Sequence, residues 1–176
     1  MAIHRLNHAV LYVRDTARSV TFYSDVLGFR VKAELPGGAG AFLQAPASTN
    51  DHDLALFAVG EGASPSTAGQ GAVGLYHLAW EVETLADLED HAQRLAAEGA
   101  LVGASDHGTT KSLYAKDPDG LEFEVVWIIP AHLVTDVDRA GALSRPRTLD
   151  LAGEKARFGP QTRGGLGVSV PLGVGV

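Results

Sequence analysis

Two runs of alternating apolar and polar positions, Leu6 to Val13 (LNHAVLYV) and Leu75 to Val82 (LYHLAWEV), read as short strands. Each is followed by a polar break and then by apolar residues at helical spacing. In the first stretch Val20, Phe22, Tyr23, Val26 and Leu27 make the apolar face, Asp15 or Thr16 can cap its start, and Gly28 stops it. In the second, Leu85, Leu88, His91, Ala92 and Leu95 repeat the face and Gly99 is the stop. Behind each glycine come three strand candidates. They are Phe29 to Glu34, Gly40 to Gln44 and Leu54 to Val59, then Ala100 to Gly103, Ser112 to Lys116 and Leu121 to Ile129. Each half therefore predicts βαβββ.

The two first strands align without gaps and place His8 on His77, 69 residues apart. Units of this size bury their apolar faces poorly alone, so two copies are expected to share one core, with sheets facing across a cleft. That predicts one domain over residues 1–130, with repeats at about 4–60 and 74–129. Gly60 to Gly74, rich in Gly, Ala and Ser, reads as the linker, and Pro36 to Gly40 as a hairpin or lid. Residues 131–176 form an extension with one short helix, Leu149 to Phe158, and an irregular Gly- and Val-rich tail that could be extended, swapped or disordered.

Composition narrows the chemistry. The chain has 176 residues and 45% hydrophobic content, enough for a sizeable core. A net charge of −7 with scattered Lys and Arg offers no basic stripe for nucleic acid. No apolar run is long enough to span a membrane and the N-terminus has no apolar signal region, so a cytoplasmic protein is expected. There is no cysteine, so a metal would have to be held by His and carboxylate side chains.

His8 and His77 hold matching positions, and a pseudo-twofold arrangement would bring them together; the alternative is two core histidines satisfied by backbone hydrogen bonds. Glu124 lies in the apolar run LEFEVVWI, where an inward carboxylate needs a cation or a partner. Glu122 shares its face, and both could instead be solvated on an amphipathic edge strand. Two imidazoles and one carboxylate on one face of a metal suit non-heme Fe(II) oxygen chemistry.

With its paired βαβββ repeats and the segment Asp117-Pro-Asp-Gly-Leu-Glu-Phe-Glu, the chain resembles the vicinal oxygen chelate superfamily over roughly residues 4 to 129. The resemblance implies an α+β fold: paired βαβββ modules forming an open, cupped mixed sheet around a metal site, the glyoxalase/dioxygenase fold. It puts the metal-binding glutamate four residues after the glycine of the turn, which selects Glu124 over Glu122, beside His8 and His77. Within the superfamily the chain is most similar to a single-module extradiol dioxygenase. His52-Asp-Leu-Ala resembles the motif whose histidine acts as acid-base catalyst near the dioxygen site. The run from Asp106-His107 through Tyr114 to Asp117 resembles the stretch carrying a further histidine and a substrate-contacting tyrosine. Leu121 stands where asparagine is usual, and the chain carries one double module where extradiol enzymes commonly carry two.

The resemblance implies ring cleavage of a catechol-like aromatic diol by O2, with Fe(II) as the metal; Mn(II), Zn(II) or Ni(II) could bind the same donors. Catalytic roles fall on His52, Tyr114 and His107. A homodimer is the default expectation. A glyoxalase or epimerase is the alternative enzyme, and it would need a fourth, acidic ligand from the last strand of the first half. The 69-residue offset puts Ala55 there, whereas the 71-residue offset between Gly28 and Gly99 puts Asp53 there. A metal-free binder like the bleomycin-resistance proteins is the third reading. Tyr12, Phe42, Tyr76, Trp80 and Trp127 are candidate wall residues that pattern alone does not assign to cavity or core.

Overall fold

The computed structural model describes residues 2, 3 and 5–165. The chain divides into two compact units, Met1–Gly71 with Asp117–Leu121, and Ala72–Lys116 with Glu122–Val176. The fold is α+β, with two open sheets and no closed barrel among the described residues.

In the first unit β1 (Ala9–Val13), α1 (Thr16–Asp25), β2 (Arg30–Glu34), β3 (Gly40–Gln44) and β4 (Leu54–Ala58) follow in order. Their sheet runs β1-β4-β3-β2, with β1 parallel to β4 and the other pairs antiparallel. Asp15 caps α1 by accepting from Arg18 N at 3.0 Å, and the helix ends at Asp25, with Gly28 at φ +77° turning the chain away three residues on. Alternate residues Leu11 and Val13 join Tyr23, Leu43 and Leu56 in the core. A 3-10 turn at Pro36–Gly38 closes the β2–β3 hairpin. The turn Asp117–Asp119 belongs to this unit: Asp119 takes Arg14 and Arg18, each at 2.8 Å, and Asp117 accepts from buried Tyr23 Oη at 3.2 Å.

The second unit repeats the order with β5 (His77–Glu81), α2 (Leu85–Ala97), β6 (Leu101–Asp106), β7 (Thr110–Lys116) and β8 (Glu122–Ile128). Its sheet runs β5-β8-β7-β6, the same topology, extended at the edge by β9 (Arg147–Thr148). Thr84 and Asp87 form a capping box at the start of α2, and Gly99 ends it. Leu85, Leu88 and Leu95 on α2 and Leu113, Phe123, Val125 and Trp127 on the strands are buried.

The extension is more ordered than its sequence suggests. Besides α4 (Leu151–Phe158), which starts behind its cap Asp150, it holds α3 (Asp136–Ala142) and β9. Trp127 is core: its ring meets Phe158 at 5.4 Å and its Nε1 donates to Thr162 O at 3.2 Å. The Gly- and Val-rich end from 166 on lies outside the described residues. No described helix is long and apolar enough to cross a membrane.

Asp138 ties α3 to α4. It is buried, caps α3 with Thr135 and takes both arms of Arg157 at 2.8 and 2.7 Å. Burial opposes its ionisation, but Arg157 and Thr135 outweigh that and hold its carboxyl well below the usual range. A lowered folded pKa gives stability that is present above the unfolded carboxylate range, about pH 4, and is lost as pH falls further. Asp138→Asn should therefore lower the melting temperature at neutral pH, and thermal unfolding at a series of pH values should show the gap closing toward pH ~3.

Candidate functional site

Strand register aligns the chemistry of the second unit. β5 and β8 pair His77 with Glu122 and Ala79 with Glu124; β8 and β7 pair Glu124 with Tyr114. Because side chains alternate, Leu113, Phe123 and Val125 take the buried face, and His77, Glu124 and Tyr114 share the other. His77 Nε2 lies 3.2 Å from Glu124 Oε2, and the rings of His77 and Tyr114 are 5.8 Å apart. Tyr114 Oη lies 2.8 Å from His107 Nε2. Burial, with the charge of Glu124 beside it, pushes the Tyr114 phenol up to about 12. It keeps its proton at neutral pH and can donate it in a hydrogen bond. Tyr76, hydrogen-bonded to Glu122, is also raised, and it is exposed.

In the first unit the rings of His8 and His52 meet at 4.5 Å between centroids with their planes tilted by 46°, and Phe42 lies edge-on to His52 at 5.2 Å. His8 Nδ1 meets Asn7 Oδ1 at 2.8 Å, and His52 Nδ1 meets Asp51 Oδ2 at 3.0 Å. Both oxygens can only accept, so each Nδ1 carries a proton, and in the neutral tautomer this selects, Nε2 is the nitrogen with the lone pair. His52 holds the Asp51 carboxyl below its ordinary value in turn. A pocket of about 170 Å³ in this unit, lined by Tyr12, Arg14, Val59 and Asp119 among others, contains no histidine.

Register identifies the first-unit counterpart of Glu124. Val10, two residues after His8, pairs with Ala55, just as Ala79, two residues after His77, pairs with Glu124. Ala55 is thus the counterpart of Glu124, and it has no donor. Asp53 is engaged elsewhere: it accepts from Ala45 N at 2.8 Å and from Ser48 Oγ and Asn50 Nδ2, both at 2.7 Å. It clasps the β3–β4 loop.

The donor chemistry fits a divalent metal. Two ligand atoms about 2.1 Å from one ion and at right angles stand about 3 Å apart, close to the separation of His77 Nε2 and Glu124 Oε2. Among the described residues no three His, Asp or Glu side chains form a ready-made cage. His77 Nδ1 is buried without a hydrogen-bond partner.

Residues 5–125 match the family model of the Glyoxalase/Bleomycin resistance protein/Dioxygenase superfamily. The chain belongs to that superfamily. It is 38% identical over 117 residues to biphenyl-2,3-diol 1,2-dioxygenase 3 of Rhodococcus globerulus, covering 66% of this chain and 59% of that one. It is 31% identical over 121 residues to catechol-2,3-dioxygenase of Bacillus subtilis strain 168, covering 68% of this chain and 40% of the relative. The chain thus spans roughly two to three fifths of the length of these relatives. The glyoxalase/bleomycin resistance/dioxygenase domain from Frankia sp. EAN1pec superposes with a TM-score of 0.63 at 23% identity, covering 76% of this chain and 98% of that one. Lactoylglutathione lyase from Agrobacterium tumefaciens does so with a TM-score of 0.54 at 23% identity, covering 72% and 95%.

His77, Tyr114 and Glu124 lie on strands, whereas His8, His52 and His107 lie in the loops that flank them. Sequence reasoning missed Asn7 and Asp51, which orient the two imidazoles from the adjacent position; a carboxylate or amide next to a histidine was the available signal. Asp53→Asn should loosen the loop at a cost of about 1–3 kcal/mol. Chemical denaturation should show that loss, while metal stoichiometry in the folded variant stays that of the wild type.

Proposed function

We propose that the chain is a metal-dependent extradiol dioxygenase that opens a catechol-like ring with O2, using His8, His77 and Glu124 as metal ligands and Fe(II) as the metal. The observation that carries the choice of reaction is Ala55 at the counterpart of Glu124, which leaves two histidines and a single carboxylate. The dioxygenases among the relatives support the same reading.

When bound, the metal supplies a Lewis-acidic, redox-active meeting point for the diol and dioxygen. The protein's own part is binding and proton handling. Asn7 turns the lone pair of His8 Nε2 outward, as a ligand needs. His77 and Glu124 converge on one point. Tyr114 retains its proton and can donate it to a substrate oxygen when His107 Nε2 carries a proton and donates to the same hydroxyl. His52, anchored through Nδ1 to Asp51, has Nε2 free to take a proton from the diol and return it as the ring opens. Phe42 packs on the His52 ring and restricts its motion.

The test is ring cleavage of a catechol panel by Fe(II)-loaded protein, read as absorbance of the yellow product. His8→Ala should abolish both metal retention and colour. His52→Ala should keep the metal and lose about 10²–10⁴-fold in kcat, the range of general acid-base catalysis. Stoichiometric metal with no cleavage of any diol would overturn the proposal in favour of an isomerase.

A further inference from the structure

Away from the candidate site the second unit buries a charge for which the proposed chemistry has no use. Lys111 is fully buried on β7, at the parity of Leu113 and Ala115 and opposite Trp127. Its Nζ donates to Asp106 Oδ1 at 2.5 Å and to Gly108 O at 3.2 Å, and lies 3.4 Å from Glu154 Oε1 on α4. Asp106 also accepts from Gly108 N at 2.8 Å and from Arg147 on β9 at 2.7 Å. Burial opposes ionisation of Asp106, but Lys111, Gly108 N and Arg147 hold its carboxyl below the ordinary range.

These bonds surround one residue. His107 sits between Asp106 and Gly108, its own N–H donating to Thr110 O at 3.0 Å and its ring reaching Tyr114 at 2.8 Å. Gly108 has φ +79° and lies so close to the backbone of α3 that a Cβ would collide with Asp138 O and Ala142 N. The turn is thus gripped from below by Lys111 and from the side by α3, and β9 and α4 complete the charge balance. A buried ion pair adds little stability over an apolar residue of equal volume, so stability alone explains Lys111 poorly. Its bonds do account for a fixed turn conformation.

We propose that Lys111 is a positioning residue for His107, and that the extension from Ala131 to Phe158 belongs to the working site because α3, β9 and α4 close the clamp through Gly108, Arg147 and Glu154. The catalytic consequence rests on the dioxygenase reading; the positioning itself does not.

The experiment compares full-length wild type, Lys111→Met and Arg147→Met by NMR of the histidine ring nitrogens, and then by kinetics. The His107 resonances should shift in both variants while those of His52 and His91 stay in place. Unchanged His107 resonances in a folded variant would overturn the proposal. In kinetics, Lys111→Met should lower kcat by about tenfold, as loss of an orienting partner does, and should have no further effect in a His107→Ala background. An equal loss in both backgrounds would overturn it, since a general loosening acts without His107. Arg147 is largely exposed, so Arg147→Met carries both measurements if Lys111→Met does not fold. Should no diol be cleaved at all, the dioxygenase reading fails while the NMR comparison still decides the clamp.

Discussion

The hydrogen-bond register of β8 against its two neighbours governs what the second unit can do. Glu124 faces Ala79 on one side and Tyr114 on the other, and His77 lies two residues back along β5. A slip of one residue would send Glu124 to the face of Phe123 and Val125 and bring an apolar side chain up in its place. The buried layer of Leu113, Phe123, Val125 and Trp127 against α2 is what makes such a slip costly. Core packing and site geometry are therefore the same constraint seen from the two faces of one sheet.

The two modules have the same topology and different chemistry. Where the second carries Glu124, the first carries Ala55, and its nearest carboxylate, Asp53, is occupied by three hydrogen bonds that shape a loop. The first unit contributes instead a histidine pair, His8 and His52, each with Nδ1 held by the side chain preceding it. One scaffold thus carries a carboxylate-and-phenol face in one copy and an imidazole face in the other. The proposed division of labour, with metal ligands on one hand and proton-handling groups on the other, rests on that asymmetry.

Much of this was legible in the chain. The strand around His77, the helix stops near Gly28 and Gly99, and the period-two placement of Glu124 in an apolar strand correspond to elements found where local pattern put them, while β1 begins at Ala9 and leaves His8 just ahead of it. Strand periodicity carries that information because burial on one face enforces it. Long-range polar pairing leaves no such trace. Lys111 reads as a surface residue by type, and only its parity with Leu113 and Ala115 hints otherwise. Its partner Glu154, and Arg147, which shares Asp106 with it, lie more than thirty residues on, in an extension where a single helix was expected and α3, β9 and α4 were found. Whether Ala55 or Asp53 matched Glu124 was likewise open until the ladder register was known, because the two halves differ in loop length.

The central claim is that one divalent ion is held by a set containing His77 and Glu124. The most direct measurement is anaerobic titration of Fe(II) into metal-free wild type, His77→Ala and Glu124→Ala, following heat and stoichiometry. The account predicts one ion per chain in the wild type and loss of that site in each folded variant. Undiminished binding in either variant would contradict it.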